Sequence, residues 1–202
     1  MRELEQYALT KDISISKLME NAGKQVYKTI ADRYELDGKR MVLFCGTGNN
    51  GGDGLVTARY FAENGFPTIV LLFGHKDNLS EDAQEKYDLV KKQVNILSIV
   101  KKQDLSKFKL QPHLNFVFVD AMLGIGAKGM VHEPIASGIE LFNSLSGTKI
   151  AVDVPSGLNA DTGEILGQSC ECDLVITLHD IKVGLEKLQE KTVIVDIGIP
   201  KK

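Results

Sequence analysis

Ile15, Leu18, Met19, Ala22, Val26 and Ile30 recur at helical spacing behind Ser14, a capping residue, and this predicts an amphipathic helix over residues 15–34. Beyond it, short runs rich in Val, Ile, Leu and Phe at 41–45, 68–73, 115–119, 149–152, 173–178 and 192–195 read as strands. Helix-like stretches at 53–64, 80–92 and 134–145 separate several of them, with Gly65 fitting a helix end and Pro134 a helix start. Alternation of this kind implies an α/β fold, a Rossmann-like three-layer α/β/α sandwich with a mostly parallel central sheet. Near-continuous apolar strands such as Met41-Val42-Leu43-Phe44-Cys45 suit a sheet covered on both faces. The pattern does not specify the strand order.

Between the first strand and the next helical pattern lies Gly46-Thr47-Gly48-Asn49-Asn50-Gly51-Gly52-Asp53-Gly54. Glycines permit positive φ and a close approach of backbone to ligand, and the amides that open a helix attract phosphate. The string is therefore expected to hold an anionic, nucleotide-like ligand. It is not a P-loop, because Gly52-Asp53 stands where Lys and Ser/Thr are required. A dehydrogenase fingerprint is also disfavoured, since the second strand runs out into Phe73-Gly74-His75 with no acid for a ribose.

Two later strands end in carboxylates, Asp120 and Asp153. Ligands of open parallel sheets bind beyond the carboxyl ends of the strands, so both should converge with Asn49 and Asn50. Behind Asp120 runs a second glycine loop, Gly124-Ile125-Gly126-Ala127-Lys128-Gly129-Met130, whose lysine suits another anionic group. Behind Asp153, Val154-Pro155-Ser156-Gly157 brings in a hydroxyl. Oxygens of Asn50, Asp120 and Ser156 could surround a hard cation. His75, His113, His132 and His179 lack metal-ligand spacing, and Cys45 reads as core. The charged stretch 76–92 reads as a solvated face, and Lys182 reads equally as a ligand contact or a surface lysine.

Composition removes some classes of function. The 202 residues are 43% hydrophobic and 25% charged, enough for one core spanning 1–202 with no linker composition. A net charge of −3 provides no general field for nucleic acid or an acidic membrane. Apolar runs are too short to span a bilayer, and three cysteines without a metal or disulfide pattern favour a reducing, cytoplasmic setting.

With these residues assembled, the chain resembles the YjeF N-terminal domain family. The likeness rests on Leu18-Met19-Glu20-Asn21-Ala22-Gly23, the 46–54 string, Asp120-Ala121-Met122-Leu123-Gly124-Ile125-Gly126, Asp153-Val154-Pro155-Ser156-Gly157-Leu158 and Asp196-Ile197-Gly198-Ile199-Pro200. The resemblance implies an NAD(P)H-hydrate epimerase, often a homodimer, that interconverts the R and S hydrates NADHX and NADPHX and works with an S-specific dehydratase. Carried over, Asn49, Asn50, Gly51, Gly52 and Asp53, the loop Gly124 to Met130, and Asp153 would contact the substrate. Asn50, Asp120 and Ser156 would bind a potassium ion. Asp153 is the first choice for acid/base catalysis and Asp120 the second, its carboxylate serving position or charge. Thr177-Leu178 replaces the family's frequent Thr-Phe, which alters one wall of the pocket. A non-catalytic YjeF-like scaffold or binding module, or another nucleotide-dependent enzyme such as an oxidoreductase, are the competing readings.

Overall fold

The computed structural model describes residues 2–111 and 114–200, so His113 lies outside the described residues. The helices are α1 (Arg2–Leu9), α2 (Ile15–Arg33), α3 (Asn49–Glu63), α4 (Glu81–Val90) and α5 (Ile135–Ser144). The strands are β1 (Lys39–Cys45), β2 (Thr68–Phe73), β3 (Asn95–Ile99), β4 (Asn115–Ala121), β5 (Thr148–Val152), β6 (Leu174–Leu178) and β7 (Thr192–Val195). They form one sheet in the order β3-β2-β1-β4-β5-β6-β7, with every pairing parallel.

Alternation along each strand divides the interior into two layers. Met41, Leu43 and Cys45 of β1 pack with α2, α3 and α4 through Leu18, Val26, Leu55, Phe61 and Val90. Val42 and Phe44 face the other way, toward Ile139 and Phe142 of α5, where Phe44 meets the Phe142 ring edge-on at 5.2 Å. This is the three-layer sandwich expected from the sequence.

The order reverses at β1, because β2 and β3 build outward on one side and β4 to β7 on the other. Loops leaving β1 and β4 therefore diverge to opposite faces, opening a crevice at the carboxyl edge of the sheet. Gly46 and the loop after Ala121 both start there.

The local signals act as expected at most helix ends. Ser14 Oγ accepts the Lys17 amide (3.1 Å) and Ser80 caps α4 in the same way. Within the charged stretch, however, Lys86 is buried rather than solvated, donating to Ser16 Oγ (2.7 Å) and Glu85 Oε1 (3.0 Å), so it ties α4 to α2.

Candidate active site

The glycine string is mostly helix rather than turn. α3 begins at Asn49, and only Gly46, Thr47 and Gly48 connect it to β1. Each glycine inside a helix costs about 1 kcal/mol relative to alanine, so packing must compensate. A Cβ on Gly52 would lie 2.4 Å from Met19 Sδ, and one on Gly54 would lie 2.7 Å from Ala121 Cβ and 2.8 Å from Cys45 Sγ. None of the glycines from 46 to 54 takes a positive φ. They are needed for close approach, not for a left-handed turn. With helix and strand drawn together, the first turn of α3 sits directly over the switch point. Its N-cap, Gly48, has no side chain to satisfy the opening amides, which leaves those donors for a ligand.

A cavity of about 590 Å³ opens at this edge, a size typical of small-molecule sites. Its lining comes from segments following β1, β2, β4, β5 and β7, together with α2 and the ends of β2 and β6. Leu18, Ala22, Leu178 and Ile197 contribute from one core layer, and Phe73, Met122, Ile125 and Ile135 from the other, so the cavity straddles the end of the sheet. Its polar lining includes Thr47, Asn49, Asn50, Asp53, Asn78 and Asp153. Among the described residues no lysine or arginine lines it. The donors this edge offers to a ligand are therefore helix and loop amides rather than cationic side chains.

The expected residues divide into those on the wall and those behind it. Asn49, Asn50, Asp53, Gly124, Ile125, Gly126, Ala127 and Asp153 line the cavity. Gly51 and Gly52 do not, because Gly51 is buried against the Gly46 backbone and Gly52 against Met19 of α2 and Ala83 of α4. Lys128, Gly129 and Met130 are also off the wall. Their loop turns outward after Ala127, leaving Lys128 exposed and Met130 64% exposed beside Gly167. Asp120 is fully buried and does not line the cavity, so its geometry gives it no contact with a ligand there.

Asp120 instead organises the floor. Its Oδ1 accepts from Ser156 Oγ (2.6 Å) and from the Met122 amide (3.1 Å), and its Oδ2 accepts from the Ser156 amide (2.7 Å). Burial pushes its carboxyl above the usual carboxylate range, against the pull of the hydrogen bonds from Ser156, Met122 and Cys170. The Leu123 amide donates to Ser156 Oγ (2.8 Å), and the Leu123 carbonyl accepts from Asn50 Nδ2 (2.8 Å). Asn50 and Ser156 thus meet at Leu123, and Ser156 links them to Asp120, although the three lie far apart in sequence. Asn50 Oδ1 is buried without a hydrogen-bond partner. An orphaned amide oxygen beside a carboxylate and a hydroxyl is a donor set that fits a hard cation.

Asp153 has a different setting. It sits in the left-handed region at φ 66, a conformation that costs a non-glycine residue free energy, and it lines the cavity. Its Oδ1 pairs with the Lys182 ammonium and accepts from the Leu178 amide (3.2 Å) and Thr177 Oγ1 (3.4 Å). Lys182 is neither a ligand contact nor a surface lysine. It is the ion-pair partner of Asp153, and only a short polar segment after a strand hinted at that in the sequence. Asn21, which the sequence offered only as a member of the 18–23 string, has a structural role: its side chain donates to the Ile197 carbonyl (2.8 Å) and so fixes the C-terminal wall of the cavity.

A parallel sheet covered on both faces, with its cavity at the β1/β4 switch point, defines a doubly wound α/β protein whose ligand site lies at the carboxyl edge of the strands. The family model for the YjeF-related protein N-terminus matches residues 15–184, and the chain belongs to that family. It is 36% identical over 177 residues to an NAD(P)H-hydrate epimerase of Nitrosopumilus maritimus, covering 87% of this chain and 80% of that one. A Lentilactobacillus buchneri protein of the same name is 35% identical over 193 residues, covering 94% and 85%. A bifunctional NAD(P)H-hydrate repair enzyme of Methanothermobacter thermautotrophicus is 38% identical over 191 residues, and there the alignment covers 91% of this chain but only 36% of the relative. The crystal structure of the yeast protein ynu0 superposes with a TM-score of 0.79 at 25% identity, covering 96% of this chain and 84% of that one.

Proposed function

We propose that the chain is an NAD(P)H-hydrate epimerase that interconverts the R and S forms of NADHX and NADPHX in nicotinamide-nucleotide repair. The observation that carries this reading is the shared wall on which the uncapped start of α3 and the carboxyl of Asp153 face one cavity. The helix start suits an anionic nucleotide, and the carboxyl suits a proton transfer. A purely structural module has no use for a strained aspartate in a cavity wall.

The hydrated carbon carries a hydroxyl beside a ring nitrogen. Its configuration is lost when the C–O bond breaks: the bonding pair leaves with the oxygen, the oxygen takes a proton and departs as water, and the nitrogen lone pair forms a C=N⁺ bond. Water then adds to either face and returns the proton. Asp153 is the group on the wall suited to give and recover that proton, while Asn49, Asn50 and Asp53 orient the substrate. Asn50, Asp120 and Ser156 would hold a potassium ion, which would supply fixed positive charge at the site. The S form is then passed to an S-specific dehydratase. The three buried free cysteines suit the reducing cytoplasm, and we expect a homodimer in solution. Among the described residues no helix is long and apolar enough to cross a membrane.

The decisive test supplies mixed R and S hydrates together with a pure S-specific dehydratase. The R pool is expected to be consumed only when this protein is added, and an R pool that persists with the folded protein present refutes the assignment.

The cation makes a separate prediction. Replacing a large organic cation such as N-methylglucamine with potassium should raise the melting temperature of the wild-type protein. At a hundredfold excess over the dissociation constant the stabilisation is about 2.7 kcal/mol. Asn50→Ala removes the orphaned oxygen and should abolish the potassium-specific shift. An equal shift in the variant locates the ion elsewhere.

A further inference from the structure

Lys182 is a nearly buried cation whose side chain is 10% exposed, yet it does not line the cavity. It follows β6 at the start of the 3₁₀ segment Val183–Lys191, and its ammonium points back to the strand end. There it donates to Asp153 Oδ1, to Thr177 Oγ1 (3.1 Å) and to the Leu178 carbonyl (2.7 Å). These three acceptors use all three of its N–H bonds, so it has none to offer a substrate.

The consequence falls on Asp153. Every donor recorded for its carboxyl, from Lys182, Thr177 and the Leu178 amide, arrives at Oδ1. Among the described residues none reaches Oδ2. The two oxygens of one carboxyl are thus differentiated: one is saturated with acceptor bonds, and the other is left for a ligand in the cavity that Asp153 lines. A proton on this carboxyl belongs on Oδ2, because Oδ1 is crowded by donors.

We propose that Lys182 is a positioning residue for the epimerisation, fixing Oδ1 of Asp153 so that Oδ2 alone carries the proton to and from the substrate hydroxyl. The proposal rests on the reading of the chain as an epimerase. The forward step begins once Oδ2 has taken up a proton from solvent: the Oδ2–H bond breaks, an O–H bond forms on the departing hydroxyl, and the C–O pair leaves with the water. The ring nitrogen supplies the pair for C=N⁺. The carboxylate left on Asp153 then faces two cations, the new iminium on one side and Lys182 on the other. Addition of water to either face reverses these steps and returns the proton to Oδ2.

The test compares wild type with Lys182→Met, which keeps the length of the chain but removes the charge, and with Lys182→Arg. The coupled assay with R and S hydrates gives kcat and KM, and melting curves report folding. Lys182→Met is expected to lower kcat on the order of 10²-fold, as the loss of an oriented charge-assisted donor does, with KM within about threefold. Lys182→Arg should recover part of kcat. A strut that only holds the fold would lower the melting temperature while leaving kcat per folded molecule intact. A folded Lys182→Met enzyme with wild-type kcat, or one altered in KM alone, overturns the proposal.

If Lys182→Met does not fold, Thr177→Val keeps the ion pair and removes the hydroxyl shared by ammonium and carboxyl. It should lower kcat by about tenfold, and an unchanged kcat again overturns the proposal. Wild-type protein that fails to epimerise sinks the proposed function and this role with it. An active wild type beside an equally active Lys182→Met sinks only the role of Lys182.

Discussion

Asp153→Asn should lose on the order of 10²–10⁴ in kcat, the span that a general acid/base contributes. The substitution preserves shape, so the loss isolates the proton. Because Lys182, Thr177 and the Leu178 amide all present donors to the Oδ1 position, the new side chain must place its carbonyl oxygen there and its NH₂ where Oδ2 stood. An NH₂ group can hydrogen-bond the substrate hydroxyl but cannot yield or recover a proton. Substrate binding should change little, since the amides at the start of α3 are untouched. Removing one member of a nearly buried ion pair also costs stability, about 3–5 kcal/mol where the remaining charge is fully enclosed and less where water reaches it. Rates should therefore be measured well below the melting temperature of the variant, using the coupled assay of R-hydrate consumption. A folded Asp153→Asn protein within threefold of wild type would remove Asp153 from the chemistry.

The same substitution at Asp120 asks a different question. Asp120 has no exposure and its oxygens are engaged by Ser156 and Met122. In the sequence the two aspartates look equivalent, each closing an apolar strand. The structure separates them by backbone conformation. Asp120 remains inside β4, whereas Asp153 stands one residue past β5 in a left-handed conformation. That difference is set by packing of distant segments, and no local pattern encodes it.

Elements whose hydrophobic period is strong were legible for the same reason that they are stable: they bury a face. The predicted helix 15–34 is α2, Ile15–Arg33, and the strand 68–73 is β2, Thr68–Phe73. β3 escaped because it is an edge strand, only its last residue, Ile99, being buried, and Asn95 and Ser98 interrupt its apolar run. The early start of α3 escaped because glycine propensity argues against helix, and contacts with Met19, Cys45 and Ala121 override it. At the site, chemistry-bearing types at strand ends were readable from Asn49, Asn50, Asp53, Asp120, Asp153 and Ser156. Which of them face the cavity, and that Lys182 rather than Lys128 is the cation nearest the carboxyl, depend on where loops turn after leaving the sheet.

The largest expected effect on stability comes from a single methyl group at Gly46. Its amide donates to the Ala121 carbonyl (3.1 Å), locking the end of β1 to β4, and a Cβ there would lie 1.9 Å from the Met122 carbonyl oxygen. Backbone on both sides prevents relief by rotamer change. One turn further on, a Cβ at Gly51 would meet the Gly46 carbonyl at the same 1.9 Å, so the strand end cannot retreat toward the helix. Overpacking ordinarily costs about 1–3 kcal/mol, and a clash confined by backbone belongs at or above the upper end. For a chain of this size, about 3 kcal/mol corresponds to a fall in melting temperature of roughly 6–12 °C, measurable by calorimetry or circular dichroism. Gly48 is the internal control, since it has φ −86 and nothing lies within 4 Å of the place a Cβ would take. Gly48→Ala should leave the melting temperature within about 2 °C of wild type and act, if at all, on substrate binding, because its added methyl enters the ligand's space. Equal melting temperatures for Gly46→Ala and wild type would mean that the β1 and β4 ends are not held as tightly as these distances require. The first turn of α3 would then lack the fixed floor on which its amides are aimed.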